Sequence, residues 1–211
     1  MKKLIKGIID FRKGLTQESR ALFARLAIEQ RPDALLIACS DSRVVPNLFA
    51  STNPGDVFVL RNIGNLIPPA YTGECTSAAA ALEFSALSLN VSDIIVCGHS
   101  ECGAMQTLCQ GLNGRSCPNL ESWLKYGKES LNKVNSGFTL DPTLSKHNQV
   151  SQVNVLQQME HIASYSFIAD RIKRGDLAIH GWWFDIAQAD VYCYLHSINR
   201  FVLIDADPAI F

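Results

Sequence analysis

The stretch that most constrains this chain is Ile94-Ile95-Val96-Cys97-Gly98-His99-Ser100-Glu101-Cys102-Gly103, where an apolar run stops at a glycine and two soft-metal ligands follow at once. A turn carrying only His99 and Cys102 cannot close a zinc site by itself. An earlier stretch has the same construction, Leu35-Leu36-Ile37-Ala38-Cys39-Ser40-Asp41-Ser42-Arg43. Both place a thiol or imidazole just past a short hydrophobic run. In an open α/β sheet that position is the carboxyl edge, where ligands bind.

The rest of the pattern supports a sheet of this kind. Apolar strands are expected at 34–38, 57–60 and 93–97, short continuous runs of the type buried on both faces of a parallel sheet. Helices are expected from Thr16, placed to cap, to Gln30, at 45–50, over the alanine-rich 76–89, at 103–109, at 123–134 and across 150–174. The last of these should stop at Gly175 after Arg171, Lys173 and Arg174. Asn53-Pro54-Gly55-Asp56 reads as a turn and residues 111–119 as a loop. Two late strands, 177–180 and 192–195, are separated by Gly181-Trp182-Trp183-Phe184-Asp185 and fit an antiparallel edge, with a last short strand at 201–204. The expectation is an α/β fold with a central, mostly parallel four-stranded sheet, an antiparallel edge strand and flanking helices. One domain over 1–211 is expected, including an N-terminal helical arm of about 1–30.

Composition excludes several classes. With 19 basic and 20 acidic residues the net charge is -1, which gives no bulk drive toward nucleic acid or anionic membrane. Lys2, Lys3 and Lys6 form only a small terminal cluster. Asp10, Arg12 and Lys13 interrupt the first apolar run before it reaches signal-peptide length, and no segment approaches a membrane span. A soluble cytoplasmic protein is expected. Seven cysteines, an odd number in a chain long enough for a proper core, argue against a disulfide scaffold. Cys75, Cys97, Cys109, Cys117 and Cys193 read as small buried hydrophobes.

Two thiolates and one imidazole suit zinc, and Cys39, His99 and Cys102 leave one of four tetrahedral positions for water. Water on such an ion ionises near pH 7 and becomes a nucleophile. Asp41 is placed to accept its hydrogen bond, and the planar fork of Arg43 suits holding Asp41 ionised and oriented. The same residues also suit a packed histidine with buried thiols, or a closed structural zinc with Asp41 as fourth ligand.

Cys39-Ser40-Asp41-Ser42-Arg43, Arg61-Asn62-Ile63-Gly64-Asn65 and Cys97 through Met105 resemble the signature regions of β-class carbonic anhydrases, as do His180-Gly181-Trp182 and Asp185-Ile186. The resemblance spans roughly 15 to 195. It implies reversible hydration of carbon dioxide to bicarbonate and a proton, with Cys39, His99 and Cys102 binding one Zn2+ per chain. Asp41 paired with Arg43 would orient the zinc-bound hydroxide, or in a closed state Asp41 would itself bind zinc. The family pocket implies Gln30, contributed across a dimer interface, Phe58, Ile63, Phe84 and the close-packed Gly103. Phe84 stands where many plant-like members have tyrosine. Leu36 replaces the tryptophan of the subgroup with a non-catalytic bicarbonate site, which argues against that regulation. Arg61 fits either an organiser of the dimer or site loop or an ordinary salt bridge, and His180 a packed, hydrogen-bonded strand residue. The resemblance also implies a homodimer or a dimer-of-dimers tetramer, with the N-terminal helices reaching a partner. Alternatives on the same zinc site are carbon disulfide or carbonyl sulfide hydrolysis, or a non-enzymatic zinc-stabilised assembly module.

Overall fold

The structure, a computed structural model, describes residues 1–205. The last six residues of the expected domain lie outside the described residues. Three apolar runs form the parallel centre: β1 (Ala34–Cys39), β2 (Val57–Asn62) and β3 (Asp93–His99). Together with β4 (Ala178–Asp185), β5 (Asp190–Leu195) and β6 (Arg200–Leu203) they make one six-stranded sheet in the order β2-β1-β3-β4-β5-β6. β2, β1, β3 and β4 are parallel, and β5 and β6 are antiparallel additions.

The edge therefore holds two antiparallel strands where one was expected. β4 is also longer than its apolar start suggests, because Gly181-Trp182-Trp183-Phe184-Asp185 continues the strand and pairs with β3 as far as His99–Phe184. A Cβ at Gly181 would lie 2.9 Å from Met159 Sδ, so the glycine admits a helix against the strand and does not end it.

The helices divide more finely than expected. After α1 (Lys2–Gly14), α2 (Gln17–Leu26) is capped by Thr16, whose hydroxyl accepts from Ser19 N at 3.1 Å, and it stops short of Gln30. Short α3 (Pro46–Phe49) follows β1, and Phe49 stacks on Phe184 at 4.8 Å. The alanine-rich segment is α4 (Ser77–Glu83) followed by a π turn over 84–88. Beyond α5 (Gly103–Gln110), α6 (Pro118–Leu124) begins inside the expected loop, with proline in its first turn, and a 3-10 turn separates it from α7 (Lys128–Asn135).

The expected 150–174 helix is two helices, α8 (Lys146–Ala163) and α9 (Ser166–Arg174), broken where Ser164 Oγ turns back onto the His161 carbonyl at 2.6 Å. Gly175 ends α9 in the left-handed conformation, φ 75°. One sheet face packs Leu35, Ile37, Ile94 and Val96 against α4, α8 and α9. The other buries Leu36, Ala38 and Cys97 with Val44 and Phe184.

Burial of the spare cysteines is uneven. Cys97 and Cys193 are buried, Cys109 and Cys117 are half-buried, and Cys75 is exposed, in an irregular segment ahead of α4. No helix among the described residues is long and apolar enough to cross a membrane.

Candidate metal centre

β1 delivers Cys39 and β3 delivers His99 to the same edge of the sheet, and the tight turn after β3 brings Cys102 to the start of α5. The donor atoms of Cys39, His99 and Cys102 all lie within 4.8 Å of one another, and all three residues are buried. Sixty residues of chain thus close on one point because β1 and β3 are neighbours in the sheet.

Tetrahedral zinc with ordinary sulfur and nitrogen bonds spaces its donors by about 3.5–3.8 Å, so the group fits that ion. The imidazole gives a second, independent sign. His99 Nδ1 donates to the Ser100 carbonyl at 2.8 Å, which fixes the proton there and leaves Nε2 with a free lone pair. That Nε2 is fully buried and has no hydrogen-bond partner. A buried acceptor without a donor is costly unless a cation takes it.

The two sulfurs are inequivalent. Cys39 is held well below the usual thiol range, first by the Cys102 thiol and then by the Gly64 N–H, which approaches Cys39 Sγ at 3.4 Å. The same Cys39 contact, together with burial, pushes Cys102 up. The two sulfurs lie close together, and a dication that binds both as thiolates would displace the remaining proton.

Asp41 and Arg43 form a two-toothed pair: Nε donates to Oδ1 at 3.0 Å and Nη2 to Oδ2 at 2.7 Å. Arg43 therefore holds the Asp41 carboxyl well below the usual carboxylate range, so Asp41 is an acceptor only. Asp41 is not among the donors that gather within 4.8 Å. Arg43 also reaches across to the Glu101 carbonyl at 2.9 Å, linking the two ligand loops. Arg61 on β2 resolves its two readings: it donates to the carbonyls of Cys39 (2.8 Å), Asp41 (2.7 Å) and Val44 (2.6 Å), and among the described residues it pairs with no carboxylate. It organises the loop after β1.

A third set of residues went unread in the sequence. Along α8, Asn148, Ser151, Asn154 and Gln158 recur at helical spacing, and all are buried. Asn148 Oδ1 accepts from Glu101 N at 2.8 Å and its Nδ2 donates to Glu101 Oε1 at 2.9 Å. Ser151 Oγ donates to the His99 carbonyl at 2.8 Å. Asn154 Nδ2 donates to the Gly64 carbonyl at 3.2 Å, while Gln158 supports Asn154 at 2.9 Å. The helix comes this close because residue 98 is glycine: a Cβ there would lie 2.7 Å from Val155. The only signal in the sequence was the polar repeat itself, which reads equally well as an exposed face.

The expected pocket residues fall into two groups. Ile63 is half-exposed and adjoins Gly64 at the metal edge, and Gly103 follows Cys102. Gly103 is not close-packed within this chain, since a Cβ there would meet nothing within 4 Å. Phe58 pairs with Leu35, about 13 Å along β1 from Cys39. It contacts Phe84 at 5.7 Å between ring centroids. Gln30 precedes β1 and lies beside Ser88 and Leu89, at the same distant end. His180 is hydrogen-bonded to Asp93 at 2.7 Å but is exposed rather than packed, because its side chain stands off the sheet at the strand's open start.

A parallel-centred α/β sheet with two cysteine sulfurs and one imidazole gathered at its carboxyl edge defines a protein with a site that could hold one metal ion. The comparisons with known proteins narrow this class. Residues 34–191 match the family model described as "Carbonic anhydrase". The chain is 38% identical over 204 residues to the carbonic anhydrase of Synechocystis sp. (strain ATCC 27184 / PCC 6803 / Kazusa), covering 96% of this chain and 74% of that protein. It is 35% identical over 212 residues to carbonic anhydrase 1 of Escherichia coli O157:H7, covering 100% and 95%. Among solved structures, the β-carbonic anhydrase CcaA aligns with a TM-score of 0.90 at 37% identity, covering 98% of this chain and 92% of that one. The chain belongs to the carbonic anhydrase family, in its β class.

Proposed function

We propose that the protein catalyses reversible hydration of carbon dioxide to bicarbonate and a proton, with one zinc ion held by Cys39, His99 and Cys102. The observation that carries this is the buried, unpartnered His99 Nε2 facing two thiols of which one is already inclined to ionise. When bound there, zinc supplies a Lewis acid that brings the ionisation of water to about pH 7.

The chain's own residues do the rest. Asp41, kept acceptor-only by Arg43, takes a hydrogen bond from the attacking water and turns its remaining lone pair toward carbon dioxide. Arg61 fixes the loop on which Asp41 rides. Ile63 offers an apolar wall suited to an uncharged substrate. The names of the curated relatives favour carbon dioxide over its sulfur analogues.

Gln30, Phe58 and Phe84 complete the pocket only if a second chain brings its distant end to this site, and we assign the active protein to a homodimer or a tetramer of two such dimers. Helix α1 supports that assignment, since it buries none of its residues and leaves Leu4, Ile8 and Phe11 exposed. A β-carbonic anhydrase from Sordaria macrospora, 28% identical with a TM-score of 0.78, is tetrameric. In this reading the chain is one catalytic domain with an N-terminal arm. Seven cysteines without a disulfide suit a reducing compartment, and we assign the protein to the cytoplasm.

The test is zinc content together with carbon dioxide hydration. The wild-type protein is expected to carry one zinc per chain and to accelerate the reaction, and Cys39→Ser to lose both. Full activity in a zinc-free preparation would end this reading.

A further inference from the structure

One hydrogen-bond chain near the metal group runs through a single peptide unit. The Gly64 N–H points at Cys39 Sγ, 3.4 Å away. The carbonyl at the other end of that same peptide belongs to Ile63, and it accepts the indole N–H of Trp123 at 2.8 Å. The order is therefore indole N–H, carbonyl, amide N–H, sulfur. Donation into a carbonyl polarises the peptide and strengthens what its N–H gives away.

The geometry around this peptide is tightly set. Gly64 has φ 77°, a conformation that side-chain-bearing residues rarely adopt, and a Cβ there would lie 3.0 Å from Ala104. Asn154 holds the next carbonyl from the opposite side. Trp123 is itself fixed by an edge-on contact with Tyr126, 5.4 Å between centroids. Its indole has one polar atom, and that atom is spent on the Ile63 carbonyl.

We propose that Trp123 is a positioning residue for the metal centre: through the peptide joining Ile63 to Gly64 it sets how strongly the Cys39 sulfur is hydrogen-bonded, and hence how much charge that sulfur donates to a bound ion. Outer partners of this type change metal affinity by about 10–100-fold when removed. The inference rests on the zinc reading of Cys39, His99 and Cys102, and its test separates the two. Trp123 lies in a different helix from every ligand, and the sequence gives no spacing rule that connects it to Cys39.

Trp123→Phe removes the N–H and keeps most of the ring. In the cobalt(II)-substituted protein the variant is expected to move the sulfur-to-metal charge-transfer band to lower energy, because a less hydrogen-bonded sulfur gives up its electron more readily. Its zinc dissociation constant, measured by chelator competition, is expected to rise about tenfold, because the peptide that positions Cys39 loses its anchor and this outweighs the gain in sulfur donation. Tyr126→Phe, which changes the neighbour in the stack and leaves the indole N–H, is expected to shift neither.

Should the Phe variant fail to fold, benzothienylalanine at position 123 keeps the shape without the N–H and is expected to give the same band shift. In the cadmium-113 wild-type protein, the Gly64 amide proton is expected to couple to the metal across the Cys39 sulfur. An unmoved charge-transfer band in the Trp123 variants, or no coupling at Gly64, overturns the role of Trp123. A protein that takes up neither cobalt nor cadmium at this site overturns the zinc reading and this inference with it.

Discussion

The loop after β1 and the turn after β3 both carry members of the Cys39, His99 and Cys102 cluster, yet they are built in opposite ways. The first, residues 39–44, is held from outside by two arginines: Arg61 ties down three of its carbonyls and Arg43 grips Asp41. The second, residues 99–103, is held from inside by Ser151 and Asn148 of α8, with His99 fully buried. Charged tethers at a surface are screened and replaceable by water, whereas buried neutral hydrogen bonds are costly to lose. Under the proposed function, the first loop would carry Asp41, which orients the attacking water, and the second would place the metal ligands His99 and Cys102. Changes in the first beyond Cys39 should cost turnover and spare zinc; changes in the second should cost zinc and stability together.

Asp41→Asn is the strongest test of that division. It is expected to lower kcat by about 100-fold, because the acceptor that orients the nucleophile becomes a mixed donor and acceptor, while zinc content stays at one per chain. Loss of zinc in this variant would make Asp41 part of the metal set and erase the contrast. Ser151→Ala comes next. It strands the His99 carbonyl and the Trp183 indole N–H, which donates to Ser151 Oγ at 3.1 Å. A loss of about 1–3 kcal/mol is expected, visible as a Tm lower by about 2–4 °C per kcal/mol, with weaker zinc binding alongside. An unchanged Tm would show that α8 does not brace the turn.

Arg61→Met keeps the stem and loses the guanidinium. Water can reach much of what it held, so about 1 kcal/mol of stability is expected to go, with kcat down about tenfold and zinc retained. Zinc loss here exceeding that in Ser151→Ala would invert the comparison. The smallest effect concerns acid. Arg43 depresses the Asp41 carboxyl below the free value of about 3.9, so the pairing stabilises fully above that pH and is lost as pH falls through the depressed value. The exposed guanidinium keeps this contribution small. The stability gap between wild type and Asp41→Asn should be constant above about pH 4 and close as pH falls below it, and a gap that does not close in acid would point to another cause.

The parallel centre was legible because β1, β2 and β3 are short apolar runs that end at the sheet's carboxyl edge, and that is also why Cys39, His99 and Cys102 could be read as one cluster across sixty residues. β4 was read short because Gly181 resembles a stop, when its role is to admit Met159 and Val155 of α8. The break between α8 and α9 has neither glycine nor proline to announce it. The inner polar stripe of α8 was invisible for a physical reason: Asn, Ser and Gln are ordinarily exposed, and only the partners at His99, Glu101 and Gly64 make burial tolerable. Linear order also gave Gln30, Phe58 and Phe84 no direction. Register shows them at the start of β1, away from the metal edge.

The most direct measurement is X-ray absorption at the zinc edge on the purified protein at pH 8. Two sulfur scatterers, one imidazole and one light oxygen donor that exchanges with solvent are expected, with the same shell in Asp41→Asn. A shell without sulfur, or an oxygen donor that disappears when Asp41 is replaced, would contradict an ion held by Cys39, His99 and Cys102 with water in the fourth position.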